Sequence, residues 1–382
     1  MKIVHVCIGS GPAVFTSHGG AIQRRVTEMA LAQVQRGHDV AVFSPGSENR
    51  RAEIRGVLVN YVAPRIADPW KRLEYQLRVT AAIRRSHRRA DVLHFHSEPE
   101  GAVLSRGLRA LQVMSYDFYS FHGLEKGSTM YPLYRRALMT YDILLPCSHY
   151  CQSASCDYWG IPEAHTQVLF NGVNVKQFKP DAEAGERERA HLDVKGKVVV
   201  YLGRVCSQKG TDTLLEAYAE VRRTLPDTSL LIAGPIERFA GTGKTGEAEE
   251  SSWRERMDAA GAEYLGSVHE DRLVGLLNLA DVFVMPTREL EIFGMAAVEA
   301  QACGAPVIAS DHGGLREVVP DGAGLRFPPG DATSLARALL QLLSDDELRA
   351  RLGRGAAENA QRYAWERVTA DFDAIYSGAQ TS

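Results

Sequence analysis

Short apolar runs alternate with longer amphipathic stretches along nearly the whole chain. In the first half, the runs at 2–8, 39–43, 57–62, 91–95, 112–115, 143–146 and 167–170 have strand length and strand-like content. Helix-period patterns at 20–36 and 148–158 fall between several of them. The alternation restarts in the second half, with strand candidates at 198–202, 229–233, 262–265, 282–285 and 306–309. Helix patterns follow at 332–343, 346–354 and 365–376. Continuous apolar strands separated by helices predict parallel sheets covered on both faces, hence an α/β chain of two doubly wound, Rossmann-like domains. The polar segment 175–197, holding KPDAEAGERERAH, reads as a linker with its boundary near 180–195. The predicted domains are therefore 1–180 and 190–364, with a C-terminal helix at 365–382 expected to pack back on the first domain. Two such domains in tandem are expected to face a cleft at the carboxyl ends of their strands.

Composition changes this picture little. The chain has 382 residues, 45% hydrophobic and 24% charged, which is ordinary for a globular protein of two to three domains. No apolar run approaches the ~20 residues of a membrane span, and residues 1–6 read as a first strand and not as a signal peptide, so a cytoplasmic protein is expected. Six cysteines give no disulfide framework in a chain this long. Cys147, Cys151 and Cys156 cluster near His149, but a structural zinc site would need a second pair downstream.

Charge is more informative. Residues 1–180 carry 22 Lys and Arg against 14 Asp and Glu, a net of +8, and the remainder 22 against 33, a net of −11. Much of the first-half excess lies in 71–89, a basic helix pattern. Such a helix is either a solvated face or a contact for an anionic acceptor or, weakly, a membrane surface. No nucleic acid partner is expected.

The candidate chemistry centres on Glu291-Ile-Phe-Gly-Met-Ala-Ala-Val-Glu299. An acidic turn runs into an apolar helix there, and a helix start offers unpaired N–H groups and a positive dipole end to an anion such as diphosphate. Glu291 falls before the helix and Glu299 about a turn and a half inside it, so two carboxylates could read sugar hydroxyls on either side of the phosphates. The alternative is a dipole-favoured acid followed by a solvated face residue. Upstream, the strand at 198–202 ends in Gly203-Arg204, with Lys209-Gly210 five residues on; two fixed cations at a strand end could neutralise a departing diphosphate.

Other strand ends add weaker signals. The first strand–helix turn is rich in small residues, Gly9, Gly11 and then His18-Gly19-Gly20, without forming a dinucleotide fingerprint. His122 follows the strand at 112–115 and precedes Gly123, a position suited to a ligand contact or to packing. His94 and His96 share one face of their strand, with Phe95 on the other, and no third ligand accompanies them toward a metal. The run Gly241-Thr242-Gly243-Lys244-Thr245 resembles a phosphate-binding loop but has Arg238 where that loop requires Gly.

Together these residues resemble the GT-B fold retaining glycosyltransferases of family 4, across essentially the whole chain. The matches fall in order: Gly19-Gly20, then Arg36-Gly37-His38-Asp39-Val40, Asp91-Val92-Leu93-His94-Phe95-His96, Phe121-His122-Gly123, Asn171-Gly172-Val173-Asn174, Gly203-Arg204 with Lys209-Gly210, Gly266 with Val268, Ala280-Asp281-Val282, Glu291 with Glu299, and 302–310. The resemblance implies a hexosyltransferase moving a hexose or N-acetylhexosamine from a nucleotide-diphosphate sugar, UDP-linked by default, to an acceptor hydroxyl. Retention at the anomeric carbon, independence of metal and the absence of any cofactor beyond the donor are implied with it.

By position, Arg204 and Lys209 would bind the diphosphate, Gly19 and Gly20 would approach it from the first domain, and backbone near Val268 would meet the base. Glu299 would hold the ribose, and Glu291 with the N–H groups of Phe293, Gly294 and Met295 the hexose, while His122 would sit at the reacting sugar. Met295 stands where the family usually has Leu, Asn174 where it commonly has Asp, and the stretch 114–122 is longer than usual. Asp117 or Tyr119 could therefore face the acceptor, with His96, Glu98 and Asn171 as further acceptor candidates. That acceptor is expected to be a small molecule, a glycan or a lipid-linked group. An epimerase or hydrolase on the same fold, or a non-catalytic sugar-nucleotide-binding protein, are the alternatives.

Overall fold

The computed structural model describes residues 1–7, 13–15, 21–65, 71–116, 125–236 and 246–380. The chain forms two compact units, Met1–Gly172 with Trp365–Ser382, and Val173–Ala364.

The first unit holds a seven-stranded sheet. Its strands are β1 (Lys2–Val6), β2 (Asp39–Pro45), β3 (Arg50–Ile54), β4 (Val57–Val62), β5 (Val92–His96), β6 (Leu111–Tyr116) and β7 (Ile143–Pro146). Their order is β3-β4-β2-β1-β5-β6-β7, parallel throughout except for the edge pair β3–β4. Helices α1 (Ala21–Gln35), α2 (Lys71–Ser86), α3 (Gly101–Leu104), α4 (Tyr131–Leu138) and α5 (His149–Trp159) alternate with the strands. Strong local signals fix some ends: Ser148 Oγ accepts from Cys151 N–H at the start of α5, and Gly160 closes it in the left-handed region.

The β3–β4 hairpin is absent from the sequence reading. Its two-residue turn puts Arg55 and Gly56 at φ 52° and 83°, and Arg in the first place hides the Asn-Gly or Asp-Gly signal that usually announces such a turn. The expected strand at 167–170 runs beside β7 through Gln167 N–H to Leu144 O and Leu169 N–H to Pro146 O, without forming a regular ladder.

The terminal helix Trp365–Gln380 belongs to this unit. Its Trp365, Val368, Phe372, Ile375 and Tyr376 are buried with Ile3, Val92, Val113 and Leu145 of the central strands. Gly172 lies so close to the Trp365 indole that a Cβ there would stand 2.2 Å from the ring. Asp373 pairs with Arg36 at 2.6 Å and His38 at 2.8 Å, clamping the helix to the end of α1.

The second unit contains β8 (Lys197–Leu202), β9 (Thr228–Ala233), β10 (Glu263–Gly266), β11 (Val282–Met285), β12 (Val307–Ser310) and β13 (Gly324–Phe327), all parallel in the order β10-β9-β8-β11-β12-β13. Its helices are α6 (Ala182–Leu192), α7 (Thr211–Thr224), α8 (Glu247–Ala260), α9 (Glu270–Leu279), α10 (Met295–Ala302), α11 (Leu315–Val318), α12 (Ala332–Ser344) and α13 (Asp346–Ala360). The polar segment read as a linker is instead largely α6. Asp181 caps it through Ala184 N–H, and Glu188 binds Arg272 of α9 at 2.6 Å. Its apolar positions are few, but Gly185 sits against the Asn278 carbonyl, so close helix packing rather than an apolar stripe holds it. The chain passes between units at Gly172/Val173, earlier than the 180–195 read from composition.

Candidate functional site

In a parallel sheet all carboxyl ends lie along one edge, and in the second unit that edge gathers Arg204 after β8, Val268 after β10, residues 286–291 after β11 and His312 after β12. Val268 is half-buried, two strands away from β8.

The loop after β8 forms a short turn, Ser207–Lys209, closed by Gly210 at φ 73°. A Cβ on Gly210 would lie 1.8 Å from the Pro286 carbonyl oxygen, so only glycine lets the two loops touch. The Gln208 carbonyl then accepts from the N–H groups of Arg288 (2.9 Å) and Glu289 (3.2 Å) and from Thr287 Oγ1 (3.2 Å). Arg288 pairs with Asp212 at the start of α7, 2.9 Å apart. This latch places Lys209 Nζ 2.6 Å from Glu291 Oε2, both side chains partly buried.

Glu291 is braced from behind. Gly314 N–H donates to its carbonyl at 2.8 Å, and His312 Nε2 donates to the Thr287 carbonyl at 3.0 Å. A Cβ on Gly313 would stand 2.4 Å from Glu291 O, and one on Gly314 2.1 Å from Ile292 O. Helix α10 then begins at Met295 behind Gly294, which has φ 99° and no side chain to cap the first turn. The helix start is therefore a set of backbone donors with a positive dipole end directly after the Lys209–Glu291 pair. Phe293 is buried just before it, edge-on to Tyr363.

Glu299 lies inside α10 and is only 2% exposed, so it is not a solvated face residue. Its carboxylate, with burial as the larger cause, pushes the Cys303 thiol up to about 12. Arg204 is half-buried at the end of β8, where Tyr201 Oη donates to its carbonyl at 2.6 Å.

Of the residues singled out in the sequence, the structure brings Lys209 and Glu291 together, while Gln208, Thr287, Asp212, His312, Gly313 and Gly314, which position this pair, were not singled out. A usable signal existed, because His312-Gly313-Gly314 after β12 repeats the His18-Gly19-Gly20 pattern after β1.

In the first unit the corresponding edge carries a cluster of three buried imidazoles. Parallel pairing of β1 with β5 sets His5 opposite His94, and the ligand nitrogens of His5, His94 and His96 all lie within 4.8 Å of one another. The third imidazole beside His94 and His96 thus comes from the neighbouring strand β1, distant in sequence, through a register that composition does not reveal. The hydrogen bonds assign protons: Gln33 Oε1 can only accept, so His5 Nε2–H donates to it at 2.7 Å. His5 Nδ1 then accepts from His96 Nε2–H at 3.0 Å. His94 bonds Tyr376 Oη at 2.9 Å and Ser115 Oγ at 2.8 Å. Burial lowers the pKa of His5 to about 4 and those of His94 and His96 well below the usual value, with Arg25 nearby acting in the same direction on the latter two. All three rings are neutral at pH 7.

Glu98, also fully buried, receives Arg72 Nε at 2.9 Å, and Asn171 Oδ1 accepts from Arg25 Nη1 at 3.0 Å. Ser97 between His96 and Glu98 has φ 56°, backbone strain of the kind that clusters at functional strand ends. Gly19, Gly20, Asp117, Tyr119 and His122 lie outside the described residues.

A parallel-sheet unit whose carboxyl edge carries a Lys–Glu pair just ahead of a helix start without a side-chain cap has the chemistry to receive an anion there. Comparison with known proteins makes this specific. The family model "Glycosyltransferase Family 4" matches residues 10–177, and "Glycosyl transferases group 1" matches 184–359. Phosphatidyl-myo-inositol mannosyltransferase of Mycolicibacterium smegmatis is 30% identical over 394 residues, covering 98% of this chain and 93% of that protein. The GDP-mannose-dependent alpha-(1-6)-phosphatidylinositol monomannoside mannosyltransferase of the same organism is 33% identical over 249 residues, covering 61% and 62%. Among solved structures, sucrose-phosphate synthase from Thermosynechococcus elongatus superposes with a TM-score of 0.78 at 22% identity over all of both chains, a likeness of fold. The chain belongs to the GT-B glycosyltransferases of family 4 and is a glycosyltransferase.

Proposed function

We propose that this glycosyltransferase moves a mannosyl or closely related hexosyl group from a GDP-linked donor to a hydroxyl of an inositol phospholipid, in the cytoplasm, with retention and without a metal. The observation that carries the donor half is the Lys209–Glu291 pair, 2.6 Å apart and directly ahead of the uncapped start of α10. The donor diphosphate takes the helix start and Lys209, with Arg204 beside it, and the carboxylate of Glu291 turns to hexose hydroxyls. Glu299 holds the ribose, backbone near Val268 the base, and Phe293, Gly294 and Met295 the hexose. On the family resemblance, Gly19 and Gly20 are assigned to the phosphates and His122 to the reacting sugar.

The UDP expected by default gives way to GDP in this reading, because a relative that names its donor is GDP-mannose-dependent. The phospholipid acceptor rests on the names of both mannosyltransferase relatives and on the basic first half of the chain. In the reaction the bond from C1 to the diphosphate oxygen breaks and a bond from C1 to the acceptor oxygen forms on the same face. The acceptor proton passes to the departing diphosphate, and Lys209 and Arg204 stabilise the charge that develops there, which removes the need for a divalent ion.

Titration calorimetry with GDP and UDP tests the donor assignment. GDP is expected to bind and UDP to bind at least about tenfold more weakly, a difference of ~1.4 kcal/mol. Equal or preferential binding of UDP would overturn it, and release of free hexose as the sole product in the presence of phosphatidylinositol would favour a hydrolase.

A further inference from the structure

Two buried tyrosines of the second unit use their hydroxyls alike, at opposite edges of its sheet. Tyr201, next to last in β8, donates to the Arg204 carbonyl at 2.6 Å, and Tyr218 of α7 donates to the Thr228 carbonyl, also at 2.6 Å. Thr228 begins β9, so the second bond lies at the amino edge, away from the candidate site. The first lies at the carboxyl edge, under the loop that carries Arg204 and Lys209. Packing alone does not call for the Tyr201 hydroxyl, because Val199 fills the same core from the same face of β8 with a hydrocarbon side chain.

The hydroxyl belongs to a chain of bonds. Burial pushes the Tyr201 phenol up, so it keeps its proton, and Thr211, the fully buried first residue of α7, hydrogen-bonds the same oxygen. Thr211 Oγ1 in turn accepts from the Cys206 N–H at 3.3 Å. Each hydroxyl has one proton to give, so the bonds run in one direction. Cys206 N–H donates to Thr211, Thr211 to Tyr201, and Tyr201 to the Arg204 carbonyl. Bonds in such a series polarise and strengthen one another.

This chain begins and ends on the backbone of the cation loop. The Cys206 carbonyl accepts from the N–H groups of Lys209 at 3.2 Å and Thr211 at 3.4 Å. Lys209 is thus set from Cys206 through that carbonyl, and Arg204 is set from Cys206 through the two hydroxyls. Gly203 lets the loop lie on the phenol, since a Cβ there would stand 3.0 Å from Tyr201 Oη.

We infer that Tyr201 is a positioning residue for transfer: its hydroxyl, relayed by that of Thr211, fixes the spacing at which Arg204 and Lys209 meet the departing diphosphate. This deepens the proposed function and rests on the reading of those two cations as diphosphate ligands.

The test compares the full chain as wild type, Tyr201→Phe and the control Tyr218→Phe, which gives up an equal bond at the far edge of the sheet. Melting temperature, affinity for inorganic pyrophosphate, and transfer from GDP-mannose to phosphatidylinositol are measured on each. Both variants should melt a similar few degrees lower. Only Tyr201→Phe should weaken pyrophosphate binding, about threefold, and lower kcat further, about tenfold, because misplaced cations cost most where charge develops in the transition state. Thr211→Val should reproduce these losses and Thr211→Ser, which keeps the hydroxyl, should not. Tyr201→Phe/Thr211→Val should lose little more than either alone, as members of one chain do.

The assignment is overturned if Tyr201→Phe keeps kcat and pyrophosphate affinity within about twofold of wild type, or if Tyr218→Phe loses as much of both. Should Tyr201→Phe fail to fold, Thr211→Val beside Thr211→Ser decides by the same criteria. Pyrophosphate binding that depends on the Tyr201 hydroxyl, with neither GDP nor UDP bound, would sink the donor reading and leave the positioning role standing. GDP binding and transfer indifferent to that hydroxyl would do the reverse.

Discussion

Acidification should weaken the first unit well before its carboxylates protonate, because three imidazoles are buried in the neutral form. In the unfolded chain a histidine takes its proton near pH 6.5, whereas His5 in the fold takes it only near pH 4. A base with a depressed folded pKa is bound to more protons when unfolded, so stability rises with pH through this interval. It is fully present above pH 6.5 and lost progressively as the pH falls toward 4. At ~1.4 kcal/mol per pKa unit, the His5 shift is worth up to about 3 kcal/mol by the bottom of that window. His94 and His96 act in the same direction, though less than additively, because each proton taken up disfavours the next.

The groups facing the cluster do not offset the effect. Gln33, Ser115 and Tyr376 are neutral, and Arg25 opposes a further positive charge. Urea unfolding at pH 7.5, 6.5, 5.5 and 4.5 measures the slope, and His5→Gln should have a slope smaller by up to ~1.4 kcal/mol per pH unit, whatever its absolute stability. A wild-type stability flat between pH 7 and 5, or an unchanged slope in the variant, would refute the reasoning.

Two glycines and one pair offer further checks. Gly210→Ala forces a Cβ against the Pro286 carbonyl at a left-handed φ, so it should lower stability by about 1–3 kcal/mol and weaken GDP binding together, read by thermal melting and calorimetry. Gly172→Ala strikes the Trp365 ring and should loosen the terminal helix, seen as faster amide exchange over Trp365–Gln380 with GDP affinity unchanged. Lys209→Met leaves Glu291 without its cation, and kcat should fall about 10²–10³-fold with a melting change of only a few degrees. A kcat within threefold of wild type would show that the pair is structural.

The alternation of apolar runs and helical patterns made the two doubly wound sheets legible, because strands buried on both faces need continuous apolar residues. Features held by non-local contacts were not. The Arg55-Gly56 hairpin lacks its usual turn residues, α6 is held by close approach at Gly185 and by the Glu188–Arg272 pair, and the Gly172 boundary reflects packing against Trp365. At the candidate site the charged residues stood out by spacing. The residues that position them, Gln208 and Thr287 among them, act through backbone carbonyls or small contacts, which leave almost no compositional trace. His5 joins His94 and His96 only through the register of β1 on β5.

The central claim is transfer of a GDP-linked hexose through the Lys209–Glu291 site. Proton NMR of GDP-mannose incubated with phosphatidylinositol and either wild type or Lys209→Met tests it directly. The expected result is a new glycolipid anomeric signal of retained configuration, appearing in step with GDP and nearly lost in the variant. An inverted product, transfer from UDP-linked donors alone, or turnover indifferent to Lys209 would contradict it.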